Sequence, residues 1–244
     1  MYFAVRFFNY NLTENINSIS PFERMGSARI VDCLNPHSFV TALEDADFRN
    51  ALERCDFLLP DGEGIRMSLK RWKGIEIRKI AGDDLHKHLL SQLQARNGKA
   101  YYMGSSDKVL GLIRNRLANE YPNIETRCFS PSYGEAIPDD ESKAILDDIR
   151  AFKPDVLFVS MTAPKQEKWA EKYRAELEGV GIVACIGAVF DFYAGTKKRA
   201  PKWAIKMKLE WLVRLLKEPR RMWSRNFVST PRYLAWVKHH SNEM

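Results

Sequence analysis

"CDFLLPDGEGIRMSLKRW", residues 55–72, decides the fold reading. The apolar run at its start is too short for a helix and ends at a proline, so it reads as a strand over 55–59. The Pro-Asp-Gly-Glu-Gly run then turns the chain. After it, Ile65, Leu69 and Trp72 recur at helical spacing and predict a helix over 63–72. A strand apolar on both faces, followed after a short turn by a helix, suits a parallel sheet covered on both sides. In such sheets ligands gather at the carboxyl ends of the strands, where helix N-termini offer unpaired N–H groups. Asp61 stands at such an end and is the first candidate for chemistry.

The same alternation extends in both directions. Strands are expected near 2–8, 28–34 ("ARIVDCL"), 99–103, 124–129, 155–161 ("DVLFVSM") and 181–186 ("GIVACI"). Helical periodicity fits 36–53, 82–96, 107–120, 139–151, 164–178 and 202–217. The expected class is therefore α/β, a parallel sheet with helices on both faces and a basic helical C-terminal appendage. The compositional break near 195–200 divides the chain into a catalytic domain over 1–196 and an appendage over 197–244. The formal net charge is +7, but residues 197–244 hold 13 Lys or Arg against 3 Asp or Glu, a local +10 on a body of −3. That segment is also aromatic, and basic plus aromatic suits an anionic partner. Trp203, Met207, Trp211 and Leu215 repeat every four residues, which predicts a helix packed on the core. Pro219 should end or kink that helix.

Several function classes lose support. No apolar run approaches the roughly 20 residues that span a bilayer. "MYFAVRFFNY" lacks a leader's basic start and cleavage site and reads as a first strand. The four scattered cysteines suggest reduced thiols in a cytoplasmic protein. Neither G-x-G-x-x-G nor a P-loop is present, which lowers dinucleotide oxidoreduction and P-loop phosphotransfer. There is no G-x-S-x-G elbow. His86 and His88 sit two apart on a predicted helix and do not share a face. Asp45 and Asp47 read as a solvated helix face, so no metal and no cofactor are expected.

The remaining candidates lie in loops after strands. "NPHS" at 35–38 brings Asn35, and "MGSSDKVL" at 103–110 brings Gly104 and Ser105. "IGAVFDFYAGTKKRAP" at 186–201 brings Gly187 and Asp191. Glycines there allow a ligand close to the backbone, and serines can cap the next helix. In "TAPKQEKWAEKY", residues 162–173, Pro164 opens a helix whose first turn holds Gln166, a neutral donor and acceptor suited to a sugar hydroxyl. Glu167 beside it complements the helix dipole.

Taken together, "DGEG", "RKIAGDDL", "APKQE" and "FDFYAGTKKRAPKW…LEWLVRLLKEPRR" resemble the WecG/TagA/CpsF family, glycosyltransferase family 26, from about residue 28 onward. The resemblance implies a Rossmann-like fold and an inverting, metal-independent transferase. Such enzymes move a sugar of N-acetylmannosamine or N-acetylmannosaminuronic acid type from a UDP-sugar to a polyprenyl-diphosphate-linked sugar at the cytoplasmic membrane face. It places the base at Asp61, a key glutamine at Gln166, and diphosphate-steadying arginines at Arg214 and Arg221; Arg78 is a further candidate. The chemistry is consistent. Inversion needs one base for the acceptor hydroxyl. A leaving diphosphate needs positive charge, which arginine supplies through paired hydrogen bonds.

The implied partners are the UDP-sugar, the lipid-linked acceptor and the membrane surface reached by the appendage. No nucleic acid is expected, and homo-oligomerisation is left open. Three positions depart from the family pattern: Cys33, Thr162 and Glu63. Glu63 either raises the proton affinity of Asp61 by repulsion or points to solvent. The rival reading is a non-catalytic module that binds nucleic acid or anionic lipid through its basic segment.

Overall fold

The computed structural model describes residues 12–13, 15–23, 26–74, 76–198, 201, 207 and 210–240. The strand expected over 2–8 lies outside them. The described core is a six-stranded, all-parallel sheet. In chain order the strands are β1 (Arg29–Leu34), β2 (Phe57–Pro60), β3 (Lys99–Gly104), β4 (Glu125–Phe129), β5 (Val156–Ser160) and β6 (Ile182–Cys185). Their spatial order is β2-β1-β6-β5-β3-β4. From β3 the chain moves outward to β4, while from β5 it moves the other way to β6. Connections leaving in opposite directions open a crevice at the carboxyl ends of the strands, the usual ligand position in open α/β sheets.

Alternation along each strand divides the core into two layers. Tyr101, Met103, Leu157, Val159 and Val183 face one layer. Helices α1 (Pro36–Glu44), α2 (Ala46–Arg54), α3 (Glu63–Lys73), α6 (Asp139–Phe152) and α7 (Lys165–Lys172) cover it. Tyr102, Phe158, Ile182 and Ala184 face the other layer. It is covered by α4 (Gly82–Ala95), α5 (Asp107–Glu120) and α8 (Val189–Tyr193). The inner strands are largely apolar on both sides because each side carries helices, as the opening stretch required, while the edge strand β4 is polar and partly exposed.

The helix expected over 36–53 is two helices. Asp45 adopts extended angles, φ −116° and ψ 105°, and its side chain accepts from the Phe48 amide at 3.0 Å, capping α2. Asp45 also takes Lys168 Nζ at 2.8 Å. The "DAD" pair thus starts a helix and anchors α7. The helix expected over 164–178 stops at Lys172 and continues as a single 3₁₀ turn, Ala175–Leu177.

The C-terminal segment corrects one expectation. Helix α9 spans Glu210–Lys217, then Pro219 opens α10 (Pro219–Trp223). A π-helical stretch, Ser224–Ser229, leads into α11 (Thr230–His240). Tyr233 is buried against Phe39 with ring centroids 5.0 Å apart, and its hydroxyl meets Ser68 Oγ at 2.5 Å. So α11 docks on α1 and α3, while Trp203, in the stripe expected there, lies outside the described residues. Met207, Trp211 and Leu216 are exposed instead of packed on the core. Helical spacing shows that apolar residues share a face; it does not show what that face meets. Among the described residues no helix is long and apolar enough to cross a membrane.

Candidate active site

Loops after all six strands line one cleft of about 1540 Å³ at the carboxyl edge of the sheet. That exceeds the roughly 300–1,000 Å³ of an ordinary small-ligand pocket and suits two substrates side by side.

Asp61 lines this cleft, directly after β2. Its backbone N–H donates to Leu34 O at 2.8 Å, tying its loop to the end of β1. Gly62 has φ +116°, which a side chain would strain. A Cβ on Gly64 would lie 2.6 Å from Pro36 Cγ, so this glycine lets the β1 and β2 loops meet. Glu63 is matched by Arg66, Nη2 to Oε2 at 2.9 Å. Its charge is answered on its own helix, which favours neither earlier reading of it. Asn35 caps α1, its Oδ1 accepting from His37 N and Ser38 N, both at 3.0 Å, while Ser38 Oγ accepts from Asn35 N at 2.8 Å. Only its amide nitrogen is left to serve a ligand. Cys33 lines the cleft as well, and burial, then the charges of Asp61 and Asp32, push its thiol up, so it stays neutral.

On the other side Gln166 is buried and hydrogen-bonded at both ends of its amide. Its Oε1 accepts from Met161 N at 3.2 Å and from Gly187 N at 3.1 Å, and its Nε2 donates to Glu167 Oε1 at 2.9 Å. It joins the loops after β5 and β6 while lining the cleft, with a second Nε2 hydrogen left for the sugar hydroxyl expected there. Glu167 is buried, and burial pushes its carboxyl up to about 7. Asp32, in the middle of β1, is completely buried; burial and then the Glu167 charge push it well above the carboxylate range. Gly187 lines the cleft in the left-handed region, φ +53°, with no atom nearer than 3.9 Å to an added Cβ.

Gly104 corrects an expectation. It does not line the cleft; a Cβ there would sit 2.2 Å from Ser160 O, so it permits strand packing, not ligand approach. Ser105 does line the cleft, at φ +59°, and its N–H donates to Ser160 O at 3.2 Å. Ser106 is the residue that caps α5. Asp191 lines the cleft too, but its oxygens hold Thr196 Oγ1 at 3.1 Å and Lys197 Nζ at 3.2 Å.

Among the described residues, the cleft's positive charge does not include Arg78. Arg78 is exposed and off the cleft, whereas its neighbour Lys79 lines it. Lys165, Lys197 and Arg225 line it as well. The backbones of Arg214 and Arg221 lie in α9 and α10; their side chains are outside the described residues. Arg225 reaches the cleft on the π-helical stretch, a form common at functional sites. His37 beside it bonds Ser229 Oγ at 2.8 Å, and burial, then the Arg225 charge, lower its proton affinity.

Comparison with known proteins places the chain in a family. The sequence matches the family described as "Glycosyl transferase WecG/TagA/CpsF family" over residues 1–242. The chain belongs to this family. Among curated relatives, an N-acetylglucosaminyldiphosphoundecaprenol N-acetyl-beta-D-mannosaminyltransferase of Bacillus subtilis (strain 168) is 30% identical over 236 residues, 96% of this chain and 88% of the relative. The enzyme of the same description from Bacillus spizizenii is 32% identical over 206 residues, covering 84% and 77%. One from Staphylococcus aureus (strain MW2) is 27% identical over 211 residues, covering 86% and 80%.

Within this WecG/TagA/CpsF chain, Asp61, Asn35, Ser105, Gln166, Gly187 and Asp191 all reach one cleft, while Gly104 and Arg78 do not. Sequence reasoning missed Lys197, Arg225 and Asp32. For Asp32 a signal existed: one carboxylate inside the apolar strand "RIVDCL" is out of place unless it has a task. For Arg225 none did, since only the path of the chain through 219–229 brings it to the cleft.

Proposed function

We propose that this glycosyltransferase moves an N-acetylmannosamine-type sugar, or its uronic acid, from a UDP-sugar to an N-acetylglucosaminyl-diphospho-polyprenol acceptor, with inversion and without a metal. The observation that carries this reading is Asp61 at the carboxyl end of β2, in a two-substrate cleft that also holds Lys79, Lys165, Lys197 and Arg225. The names of the relatives supply the sugar and the acceptor. Asp61 takes the proton of the acceptor hydroxyl as that oxygen attacks the anomeric carbon from the face opposite the diphosphate. Cationic side chains then offset the charge that grows on the leaving UDP. Arg225, with Arg214 and Arg221 of the appendage, is assigned this task.

Residues 197–244 act as an appendage that completes the site and lies on the inner face of the cytoplasmic membrane. Exposed Trp211, Leu216, Trp223, Phe227 and Val228 on a basic segment support this. Each basic residue near an anionic leaflet adds about 1 kcal/mol of attraction. The same exposure is what a nucleic-acid-binding module would need, so both are assayed. Cosedimentation with anionic vesicles and no gel shift is the expected pair of results.

The deciding experiment incubates purified protein with a panel of UDP-sugars and a synthetic prenyl-diphosphate N-acetylglucosamine, reading UDP release. Asp61→Asn should lower the rate about 10²–10⁴-fold at unchanged melting temperature. A variant as fast as the native chain removes Asp61 as the base.

A further inference from the structure

Beneath the cleft floor lies a group of acids that the transfer mechanism does not use. Asp32 occupies an inward position of β1 and is 0% exposed; Glu167, in the first turn of α7, is 3% exposed. Among the described residues no nitrogen or oxygen donor meets either oxygen of Asp32 or Oε2 of Glu167, and the group that bonds Asp32 is the Cys185 thiol. Isolated buried carboxylates are too costly to persist as ions, so groups placed this way keep a proton. The other oxygen of Glu167 accepts from Gln166 Nε2 at 2.9 Å.

The geometry points to Glu167 as a positioning residue that keeps its proton, in a layer that also holds the buried Asp32, and thereby locks the Gln166 amide across the floor of the active site. With Glu167 Oε1 as the acceptor for Nε2, the amide oxygen must face Met161 N and Gly187 N. A flipped amide would set its NH₂ against two backbone donors and its oxygen against a carboxyl oxygen. The lock therefore fixes how the β5 and β6 loops stand relative to each other, and both loops line the cleft.

Removing the Glu167 proton leaves an unpaired charge in an apolar layer. The surrounding groups do little to offset that. From the sheet the two acids meet the thiols of Cys185 and Cys33, and from the end of α2 that of Cys55; burial keeps all three neutral. Beyond them on the α7 side stand Glu171 and Arg174, and Arg174 is already bound to Asp56 at 2.8 Å and Glu171 at 2.9 Å. Asp61 and Asp84 add negative charge on the far side of Cys33. Relief comes when Glu167 swings toward the cleft, and Gln166 then loses its acceptor.

The activity arm of the test rests on the transferase reading; the spectroscopic arm does not. Infrared titration of the native protein in heavy water should show a protonated carboxyl C=O band that persists to about pH 7, well above the ordinary carboxylate range. Glu167→Gln and Asp32→Asn should each remove or shift that band. In the UDP-release assay the native rate should fall at least about threefold from pH 7 to pH 9, and the fall should flatten in Glu167→Gln, whose side chain keeps the acceptor and cannot ionise. A native protein without the band, or native and Glu167→Gln profiles that superimpose, overturns the proposal. If Glu167→Gln fails to fold, the same comparison is read from Asp32→Asn, which removes the other buried carboxyl. A band that is present in a protein that transfers no sugar refutes the transferase reading and leaves the protonated Glu167 standing.

Discussion

Replacing Gln166 with leucine tests how the cleft floor is built. Leucine is close to glutamine in volume, so no cavity is added. Three hydrogen bonds disappear: those from Met161 N and Gly187 N to Oε1, and that from Nε2 to Glu167. Each is worth about 1 kcal/mol net, and a buried group left unpaired costs about 1–3 kcal/mol. Met161 and Gly187 are half-buried at the cleft, so water can rescue their amides in part, while Glu167 Oε1 is deeper. The expected loss is about 2–4 kcal/mol. In a chain of this size each kcal/mol moves the melting temperature by about 2–4 °C, so a drop of about 5–15 °C follows. Urea unfolding with an unchanged m value reads the free energy directly. Gln166→Glu gives a second arm: it puts another carboxylate beside Glu167 and should be more harmful at pH 8 than at pH 5. A Gln166→Leu midpoint within about 0.5 kcal/mol of the native value would refute the claim that this amide joins the two loops.

Three further outcomes are expected. Gly104→Ala should destabilise by more than about 3 kcal/mol or abolish soluble protein, because the added Cβ meets Ser160 O at 2.2 Å at φ +116°; Gly187→Ala, with open space around it, should lose only about 1–2 kcal/mol. Tyr233→Phe should lose about 1–2 kcal/mol and speed limited proteolysis within 218–229, since the Ser68 contact helps hold α11 on the core. Stability should decline as pH rises between about 4.5 and about 7. Glu167 ordinarily titrates at 4.5 and is pushed by burial to about 7, so the folded chain binds more protons across that window, and about 2–3 kcal/mol present below it is lost by its upper end. Unfolding midpoints measured across that range check this, and Glu167→Gln should flatten the slope.

Much of the layered core was legible because it depends on local pattern. Runs such as "DVLFVSM" are short, apolar on both sides and followed by helical periodicity, which is enough to specify a covered parallel sheet. The places where the reading failed are places where a local pattern has two solutions. Asp45 inside an apparently continuous helix could face water or cap a new helix, and only the packing of α7 and Lys168 against it selects the cap. Met207, Trp211 and Leu215 repeat every four residues, a face that the core could have covered, but Met207 and Trp211 are exposed and α11 takes the place on α1 and α3.

The candidate site divides the same way. The sequence by itself placed Asp61, Asn35, Gln166 and Gly187 after strands, because strand ends and helix starts are written in residues a few positions apart. It could not tell Lys79 from Arg78, or a ligand-facing glycine from the close-packed Gly104, because those depend on which side of an irregular loop faces a distant strand. Nor could it bring Asp32 and Glu167 together. Asp32 and Glu167 are buried in one layer because β1 lies next to β6 in the sheet and α7 packs against both. Side-chain period is local; the choice of neighbouring strand, and so the depth at which two acids are buried together, belongs to the tertiary structure.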